Sequence, residues 1–234
     1  PLGAIYNPAM TARTLMRATD SASTPLPALV PGPRGMHCLD YATRFSGKSQ
    51  DVLADLETAF TAIREILSRR PTVILTFGSA FVYQHAGRII GNCHKFPASE
   101  FERRILGIGE IVDAMEAPMR RLIGMGCRVI LTVSPIRHTA DGLHGNTVSK
   151  ATLHLAVEAL RERIPEADYF PAYEILIDDL RDYRFYADDL KHPSAMAVTY
   201  IYEKFMEAYL LPSDIRKAIE ARKAFMRSQH RPIL

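Results

Sequence analysis

Two apolar, β-branched runs constrain the fold of this chain more than any other feature. Residues 72–77 read Thr-Val-Ile-Leu-Thr-Phe, and residues 128–133 read Arg-Val-Ile-Leu-Thr-Val. Continuous runs of this kind are typical of strands buried on both faces, as in a parallel sheet covered by crossover helices. A third, shorter strand is predicted over residues 169–173. These three strands are therefore expected to lie in one parallel sheet.

Helices are predicted around these strands, because apolar residues recur there at helical spacing. The ranges are 7–18, 49–70, 101–123, 146–163, 193–211 and a last basic helix from about residue 214. Pro118 is expected to disturb the third, Asn146 to cap the fourth and Pro193 to take the first position of the fifth. Residues 21–35, which are rich in proline, read as an exposed loop. Strands alternating with helices favour a doubly wound α/β fold.

Composition restricts the class of function. The 234 residues, 47% hydrophobic and 24% charged, suit one globular α/β domain. The net charge of +3 lies largely in the tail from residue 216 to 231, which does not predict nucleic-acid binding. No apolar run approaches the ~20 residues of a membrane span, and no signal peptide is visible. The scattered cysteines Cys38, Cys93 and Cys127 imply no disulfide framework, so a cytoplasmic location is expected.

The chain begins in the middle of an apolar phrase. It opens Pro-Leu-Gly-Ala-Ile-Tyr, without an initiator methionine. A processed mature protein and a fragment of a longer protein would both begin in this way. An exported mature protein more often starts with a polar, flexible stretch, so we favour the fragment.

Residues 189–194, Asp-Leu-Lys-His-Pro-Ser, are the strongest candidate for chemistry. A carboxylate at Asp189 and an imidazole at His192 can form one hydrogen-bonded unit, in which the carboxylate fixes the tautomer of the ring. Such a unit is the base half of a nucleophilic hydrolase site. By spacing alone, a helix cap is the more frequent explanation of such a pair.

Polar residues follow each predicted strand, at the edge where parallel α/β sheets bind ligands. They are Gly78, Ser79, Asn92, Cys93 and His94 after the first strand, Arg137, His138 and Asp141 after the second, and Asp189 and His192 after the third. Each has a structural alternative, because Gly78-Ser79 suits a tight turn and Arg137-His138 suits a loop that binds carbonyls. Gly78-Ser79 also lacks the full G-x-S-x-G elbow. The adjacent Cys93 and His94 are poorly spaced for a shared zinc, and neither a metal nor another cofactor is predicted.

Six motifs together resemble the GSCFA-domain family. They are Phe-Gly-Ser-Ala-Phe-Val-Tyr at 77–83, Asn-Cys-His-Lys at 92–95, Ser-Pro-Ile-Arg-His at 134–138, Asn-Thr-Val-Ser-Lys-Ala at 146–151, Tyr-Phe-Pro-Ala-Tyr-Glu at 169–174 and the stretch 182–194. The resemblance runs in family order over about residues 3–209. That family is similar to the SGNH/GDSL hydrolases. The resemblance thus implies a three-layer α/β/α, flavodoxin-like sandwich with a parallel sheet and a Ser–His–Asp site.

The resemblance also implies roles for individual residues. His192 would deprotonate a serine, and Asp189 would orient the imidazole. The candidates for oxyanion or substrate binding are Gly3, Gly78, Ser79, Asn92, His94, Arg137 and His138. Gly3 falls where the superfamily supplies an oxyanion-hole glycine. The asparagine of the superfamily's third block is either missing or replaced by Asn92.

The chain departs from the family pattern in one respect. The Gly-Ser-Cys-Phe-Ala segment, whose serine corresponds to the nucleophile, does not occur in the sequence. It should precede Pro1, so at least one N-terminal strand is expected to be missing from a domain over residues 1–211, which a basic tail over 212–234 follows. The expected activity is ester hydrolysis or acyl transfer on a carbohydrate or another small-molecule acyl ester. The alternatives are a binding module without a nucleophile and a rewired site in which Ser79 attacks.

Overall fold

The computed structural model of the chain describes residues 1–20, 24, 27 and 29–229. These residues group into two units, Pro1–Tyr173 and Glu174–Leu234, each with its own internal packing. The expectation of one domain over 1–211 and a tail over 212–234 stays a prediction, although the last helix does begin at Pro212.

The first unit combines helices with both parallel and antiparallel strands. Its long helices are α1 (Pro8–Thr19), α2 (Ser49–Ser68), α3 (Ile108–Gly124) and α4 (Gly142–Arg163), and α5 (Ala172–Glu174) is a single turn at its end. Its strands are β1 (Leu29–Gly32), β2 (Gly35–Cys38), β3 (Ser46–Gly47), β4 (Thr72–Phe77), β5 (Phe81–His85), β6 (Arg88–Ile90), β7 (Glu102–Ile105), β8 (Arg128–Val133) and β9 (Asp168–Tyr169). The fold is therefore mixed α/β.

The predicted parallel sheet is present, with strand order β4-β8-β9. β4 and β8 pair over six residues, from Thr72 opposite Arg128 to Phe77 opposite Val133. The third strand is shorter than expected. It covers Asp168–Tyr169, and the chain turns into α5 at Ala172, so the prediction of a strand through residue 173 is wrong at its end.

β4 and β8 differ in burial although their sequences are alike. Every residue from Val129 to Val133 is buried in β8, whereas only Leu75 and Phe77 are buried in β4 and Ile74 is 48% exposed. Within the described part of the chain, β4 pairs on one edge only. The prediction of burial on both faces is therefore right for β8 and wrong for β4, because burial depends on the neighbours that a strand has in the sheet.

Two antiparallel sheets, β1-β2-β3 and β6-β5-β7, were not predicted. β1 lies inside the proline-rich stretch, so a loop over all of residues 21–35 is wrong; residues 21–23, 25, 26 and 28 lie outside the described residues. β7 takes the start of the helix predicted over residues 101–123. α3 begins later because the Glu110 side chain accepts the N–H of Gly107 at 2.8 Å, which caps the helix there.

The ends of the other helices show which polar residues act as caps. Asn7, where the predicted helix starts, caps α1, since its Oδ1 accepts the N–H of Met10 at 2.9 Å. Asn146 does not cap α4, because that helix already begins at Gly142. Pro193 lies outside α6, whose N-cap is Ser194. α3 continues through Pro118, which donates no hydrogen bond to the preceding turn, so the proline does not end the helix.

The core of the first unit forms where α3 and α4 pack against β8 and α1 packs against α3. Met115 and Met119 of α3 lie one turn apart, and both are fully buried. Leu131 of β8 and Leu153 of α4 are fully buried as well. The helical spacing of the apolar residues thus gives each helix one face for the sheet or for a neighbouring helix.

The second unit is helical over most of its described length. A π-helix over Ile175–Leu180 and a 3₁₀ turn over Tyr183–Phe185 precede α6 (Ala195–Tyr209) and α7 (Pro212–Gln229). The basic helix expected from about residue 214 is present as α7. Across the described ranges of the whole chain, no helix combines the length and the apolar character needed to cross a membrane.

Ile74 and Ile130 provide a matched test of the unequal burial of β4 and β8, because they lie opposite each other in register. Replacing the fully buried Ile130 with alanine removes packed methyl groups and should cost about 2–5 kcal/mol of unfolding free energy. Ile74→Ala should cost less than ~1 kcal/mol, because half of that side chain is exposed. Urea denaturation measures both values. Equal losses would contradict the open face at Ile74.

Candidate functional site

Asp189 and His192 form a hydrogen-bonded pair on the surface of the second unit. Nδ1 of His192 lies 2.6 Å from Oδ2 of Asp189, and the two side chains are 59% and 45% exposed, respectively. The other carboxylate oxygen accepts the backbone N–H of Lys191 at 2.9 Å and that of His192 at 3.0 Å. The carboxylate is therefore fixed by three donors from its own turn.

The loop that carries the pair closes on itself. The N–H of Ala187 donates to the carbonyl of His192, and the N–H of Ser194 donates to the carbonyl of Phe185, each at 2.8 Å. Leu190 adopts a φ of 55°, a left-handed conformation that is costly for a branched residue. The two hydrogen bonds stabilise the left-handed backbone at Leu190. The hydrogen-bonded loop 185–194 therefore holds the His192 imidazole in place.

The helix-cap explanation of the Asp189–His192 pair is wrong. The N-cap of α6 is Ser194, whose Oγ accepts the N–H of Ala197 at 3.3 Å. Both oxygens of Asp189 serve the turn 189–192 itself. The pair therefore has no part in starting the helix.

The electrostatics of the pair determine where the proton of His192 lies. The hydrogen bonds from the backbone N–H and the ring of His192, and then from the Lys191 N–H, lower the pKa of Asp189 below its usual range. An ionised carboxylate only accepts hydrogen bonds, so neutral His192 carries its proton on Nδ1. Nε2 is then unprotonated, as a general base requires.

In the first unit, the turn after β4 is held by the start of the chain. The N–H groups of Gly78 and Ser79 both donate to the Tyr6 carbonyl, at 2.9 and 3.0 Å. Ser79 is 6% exposed, and its Oγ accepts the N–H of Phe81 at 3.0 Å and lies 3.4 Å from Oγ of Ser149. Neither partner is a base. The described hydrogen-bond partners of the Ser79 hydroxyl therefore include no base that would activate it as a nucleophile.

Gly3 lies where the start of the chain meets the loop 39–42. Ala42 donates its N–H to the Leu2 carbonyl at 3.1 Å, and a Cβ on Gly3 would come within 2.6 Å of the Ala42 Cβ. The φ of Gly3 is also 92°, a value that L side chains rarely adopt. Close approach and backbone conformation both require glycine here.

Asn92 is attached to the same loop. Its N–H donates to the Leu39 carbonyl at 2.9 Å, and its Oδ1 accepts the N–H of His94, also at 2.9 Å. The side-chain oxygen is thus directed into the protein, and the NH₂ group has no partner in the part of the chain that the structure describes. Asn92 therefore offers two free donors to a ligand.

The loop 39–42 is anchored by a buried carboxylate. Asp40 lies 3.2 Å from the guanidinium of Arg13 on α1 and 2.6 Å from that of Arg88 on β6. Burial raises the pKa of Asp40, and the two guanidinium groups oppose that effect. The ion pairs join α1 and β6 to the loop that supports Gly3 and Asn92.

His94 belongs to a buried histidine pair. Its Nε2 lies 2.9 Å from the Tyr41 carbonyl and must donate, so its Nδ1 is unprotonated and accepts from Nδ1 of His37 at 3.1 Å. His37 Nε2 is then an acceptor, and it is buried without a partner among the described residues. His94 and the following Lys95 have φ values of 48° and 63°. The described contacts of His94 therefore stabilise the loop 39–42 through the Tyr41 carbonyl.

His138 lies beside the turn after β4. A Cβ on Gly78 would come within 3.4 Å of His138 Nε2, and the His138 ring packs edge-on against Tyr6, with the ring centroids 6.2 Å apart. Oδ1 of Asn146, inside α4, accepts the N–H of His138 at 2.9 Å. Arg137, which precedes His138, is half-buried. Of the predicted residues, the structure thus brings Gly78, Ser79 and His138 together around Tyr6.

Two residues of the site region were recognised only through the family motif at 146–151. Ser149 and Lys150 of α4 are both 2% exposed and contact the turn after β4. Their signal in the sequence is position, because Lys150 falls three residues before Leu153 and seven before Val157, on the buried stripe of α4. A lysine on such a stripe needs a partner inside the protein.

The three cysteines are buried or half-buried, which disfavours them as nucleophiles. Burial raises the pKa of Cys38 to about 11 and also raises the pKa values of Cys93 and Cys127, which disfavours the thiolate in each. Across the described ranges, no three His, Cys, Asp or Glu side chains are placed to hold a metal ion.

The tautomer of His192 is the first testable property of this site. Nitrogen-15 NMR of the neutral ring should show the proton on Nδ1, because Asp189 accepts there. In Asp189→Asn, an amide that can donate to Nδ1 should shift the proton towards Nε2. The exposed His144 serves as the reference ring. A wild-type ring protonated mainly on Nε2 would refute the arrangement.

The buried histidine pair predicts a loss of stability in acid. Burial, with Arg34 nearby, lowers the pKa values of His37 and His94 below 6.5, so below that pH the unfolded chain binds protons that the folded chain does not. The unfolding free energy should fall by up to ~1.4 kcal/mol per pH unit for each histidine.

Asparagine at position 37 tests this acid sensitivity, because its amide can still donate to His94 but does not titrate. His37→Asn should weaken the pH dependence of the urea midpoint between pH 7 and 5. His144→Asn, at an exposed site, is the control and should leave it unchanged. An unaltered slope in His37→Asn would contradict the assignment.

Comparison with known proteins gives the chain a family. The family model described as the GSCFA family matches residues 1–205. No curated protein and no solved structure matches the chain. Because the family match extends over most of the sequence, the chain belongs to the GSCFA family.

Proposed function

We propose that this chain carries the base half of an SGNH-type serine esterase or acyltransferase, with His192 as general base and Asp189 as its orienting carboxylate. The observation that carries this proposal is the 2.6 Å contact between Nδ1 and the ionised carboxylate, which leaves Nε2 free to accept a proton. Membership of the GSCFA family supports it. The chemistry requires no cofactor.

We further propose that a serine-bearing strand pairs with the free edge of β4, within a flavodoxin-like, three-layer arrangement. The sequence of β4 is that of a strand buried on both faces, yet Ile74 is 48% exposed and one edge is unpaired in the described chain. A strand that carries a Gly-Ser-Cys-Phe-Ala segment would complete the sheet there. Its serine would then emerge at the edge that carries Gly78.

In this mechanism the serine oxygen attacks the acyl carbonyl while its proton passes to Nε2 of His192. Within the first unit, the Gly3 N–H and the Asn92 NH₂ group are the donors that we propose for an oxyanion. The N–H groups of Gly78 and Ser79 already donate to Tyr6, so these residues contribute through the shape of their turn. His192 then protonates the leaving alcohol, and water or a second alcohol releases the acyl group by the reverse steps.

The substrate class we propose is an acyl ester of a carbohydrate or of another small polar molecule. Arg137 and His138, after β8, supply a cation and a ring that suit a polar or anionic group, and the His138 ring lies beside Gly78. His94 would act indirectly, by holding Asn92 through its backbone N–H. A cytoplasmic location is part of the same proposal.

A second candidate function is a binding module that has no nucleophile of its own. The observation in its favour is the state of Ser79, which is buried and whose described hydrogen-bond partners include no base. The same observation weighs against a rewired site in which Ser79 attacks. A longer chain with the serine-bearing strand would be an enzyme, whereas the 234 residues alone would bind without turnover.

Hydrolysis of a simple acetyl ester distinguishes these functions. A chain extended upstream through a Gly-Ser-Cys-Phe-Ala segment should be active, and His192→Ala should lower its kcat/KM about 10²–10⁴-fold with no change in Tm. Asp189→Asn should lower it as well, and His144→Ala is the matched control. The 234-residue chain should show no enzymatic turnover. Turnover by that chain that disappears in Ser79→Ala would overturn this assignment.

A further inference from the structure

The amine of Lys150 joins the ends of two parallel strands. Its Nζ donates to the Gly78 carbonyl at 2.7 Å and to the Ser134 carbonyl at 2.6 Å. These residues directly follow β4 and β8, and the Ser134 N–H donates to the Phe77 carbonyl at 2.9 Å. One side chain from α4 therefore bridges the two loops at the ligand-binding edge of the sheet.

The preceding residue of α4 contacts the same turn at its other end. Oγ of Ser149 accepts the Ala80 N–H at 2.8 Å. The peptide between Gly78 and Ser79 is bound on both sides, because its carbonyl accepts from Lys150 and its N–H donates to Tyr6. Three consecutive peptide groups, from residue 77 to residue 80, are thus fixed in orientation.

Burying the Lys150 amine costs folding free energy, so its presence at a buried position calls for an explanation. Lys150 is 2% exposed, and burial lowers its pKa to about 8. The groups that face it are carbonyls, the Tyr173 ring at 6.0 Å, and beyond these His154 and His138, with no carboxylate among its partners. A methionine would fit the apolar stripe of α4 without this cost. The position therefore carries a requirement that packing alone does not explain.

We propose that Lys150 is a positioning residue of the active-site edge, which orients the Gly78–Ser79 peptide and the start of the loop 134–138 by binding both strand-end carbonyls. This inference rests on the proposed function for its catalytic meaning, but its structural content does not depend on a nucleophile. Ser149 assists by holding the Ala80 N–H. The spacing between Gly78, His138 and Tyr6 depends on these contacts.

Amide hydrogen exchange tests the positioning role in the 234-residue chain. In Lys150→Met, the Ser79 and Ala80 amides should exchange at least ~10-fold faster, while the Leu131 amide in β8 should exchange no faster than in the wild type. Lys48→Met, at an exposed position, is the matched control and should change none of them. Unchanged exchange at Ser79, or a uniform acceleration that includes Leu131, would overturn the proposal.

A measurement on the unmodified chain covers the case in which Lys150→Met does not fold. The Ser79 amide belongs to the peptide whose carbonyl Lys150 binds, so its nitrogen-15 shift should titrate near pH 8 together with the Lys150 amine. If the nitrogen-15 shift of the Ser79 amide does not change with pH near 8, the hydrogen bond from Lys150 to the Gly78 carbonyl is contradicted.

Kinetics in the extended, serine-bearing chain separate this inference from the proposed function. Lys150→Met should lower kcat more than ~10-fold with little change in KM, and it should remove a step near pH 8 from the pH profile. A fall in apparent kcat no larger than the unfolded fraction measured by circular dichroism, with the step near pH 8 retained, would overturn the positioning role. If the extended wild-type chain is inactive, the proposed function fails, while the exchange result still decides the role of Lys150.

Discussion

The parallel pairing of β4 with β8 is the interaction on which the rest of the first unit depends. Because the two strands pair in register to their last residues, Gly78 and Ser134 leave the sheet side by side. Only in that arrangement can one side chain from α4 bind both carbonyls. The Tyr6 carbonyl accepts hydrogen bonds from the same turn, and His138 lies beside it. A shift of register by one residue would separate all of these contacts.

The Asp189–His192 pair of the second unit and the Gly78 turn of the first unit are built in opposite ways. The Asp189–His192 pair is local, since the described hydrogen bonds that fix it come from residues 185–194. The turn at Gly78 is held from far along the chain, by Tyr6 on one side and by Ser149 and Lys150 on the other. The first needs only a closed loop to form, whereas the second exists only when the sheet and α4 are assembled.

This difference explains how much could be predicted from sequence. The parallel strands, the Asn7 cap and the Asp189–His192 hydrogen bond follow from patterns within a few residues. Exposure of Ile74 does not, because it depends on which strand stands next to β4. The start of α3 was misplaced for a similar reason. Residues 102–105 have spacing compatible with a helix, but β5 offers them a strand partner.

The polar residues show the same limit. Asparagine is a common helix cap, yet Asn146 lies inside α4, where its amide oxygen accepts the N–H of His138. The tautomers of His37 and His94 follow from a carbonyl at Tyr41 that no local pattern reveals. A side chain's partner in the folded chain, more than its type, decides what it does. Lys150 is the clearest case, because its partners follow two different strands.

The open edge of β4 has a consequence for how the protein behaves in concentrated solution. Residues 72–77 contain no charged side chain and no proline, the features that usually prevent strands at sheet edges from pairing with other molecules. Along β4, the N–H and C=O groups that no described strand pairs with therefore form a template for intermolecular association. Any strand that covered this edge would therefore also prevent the association.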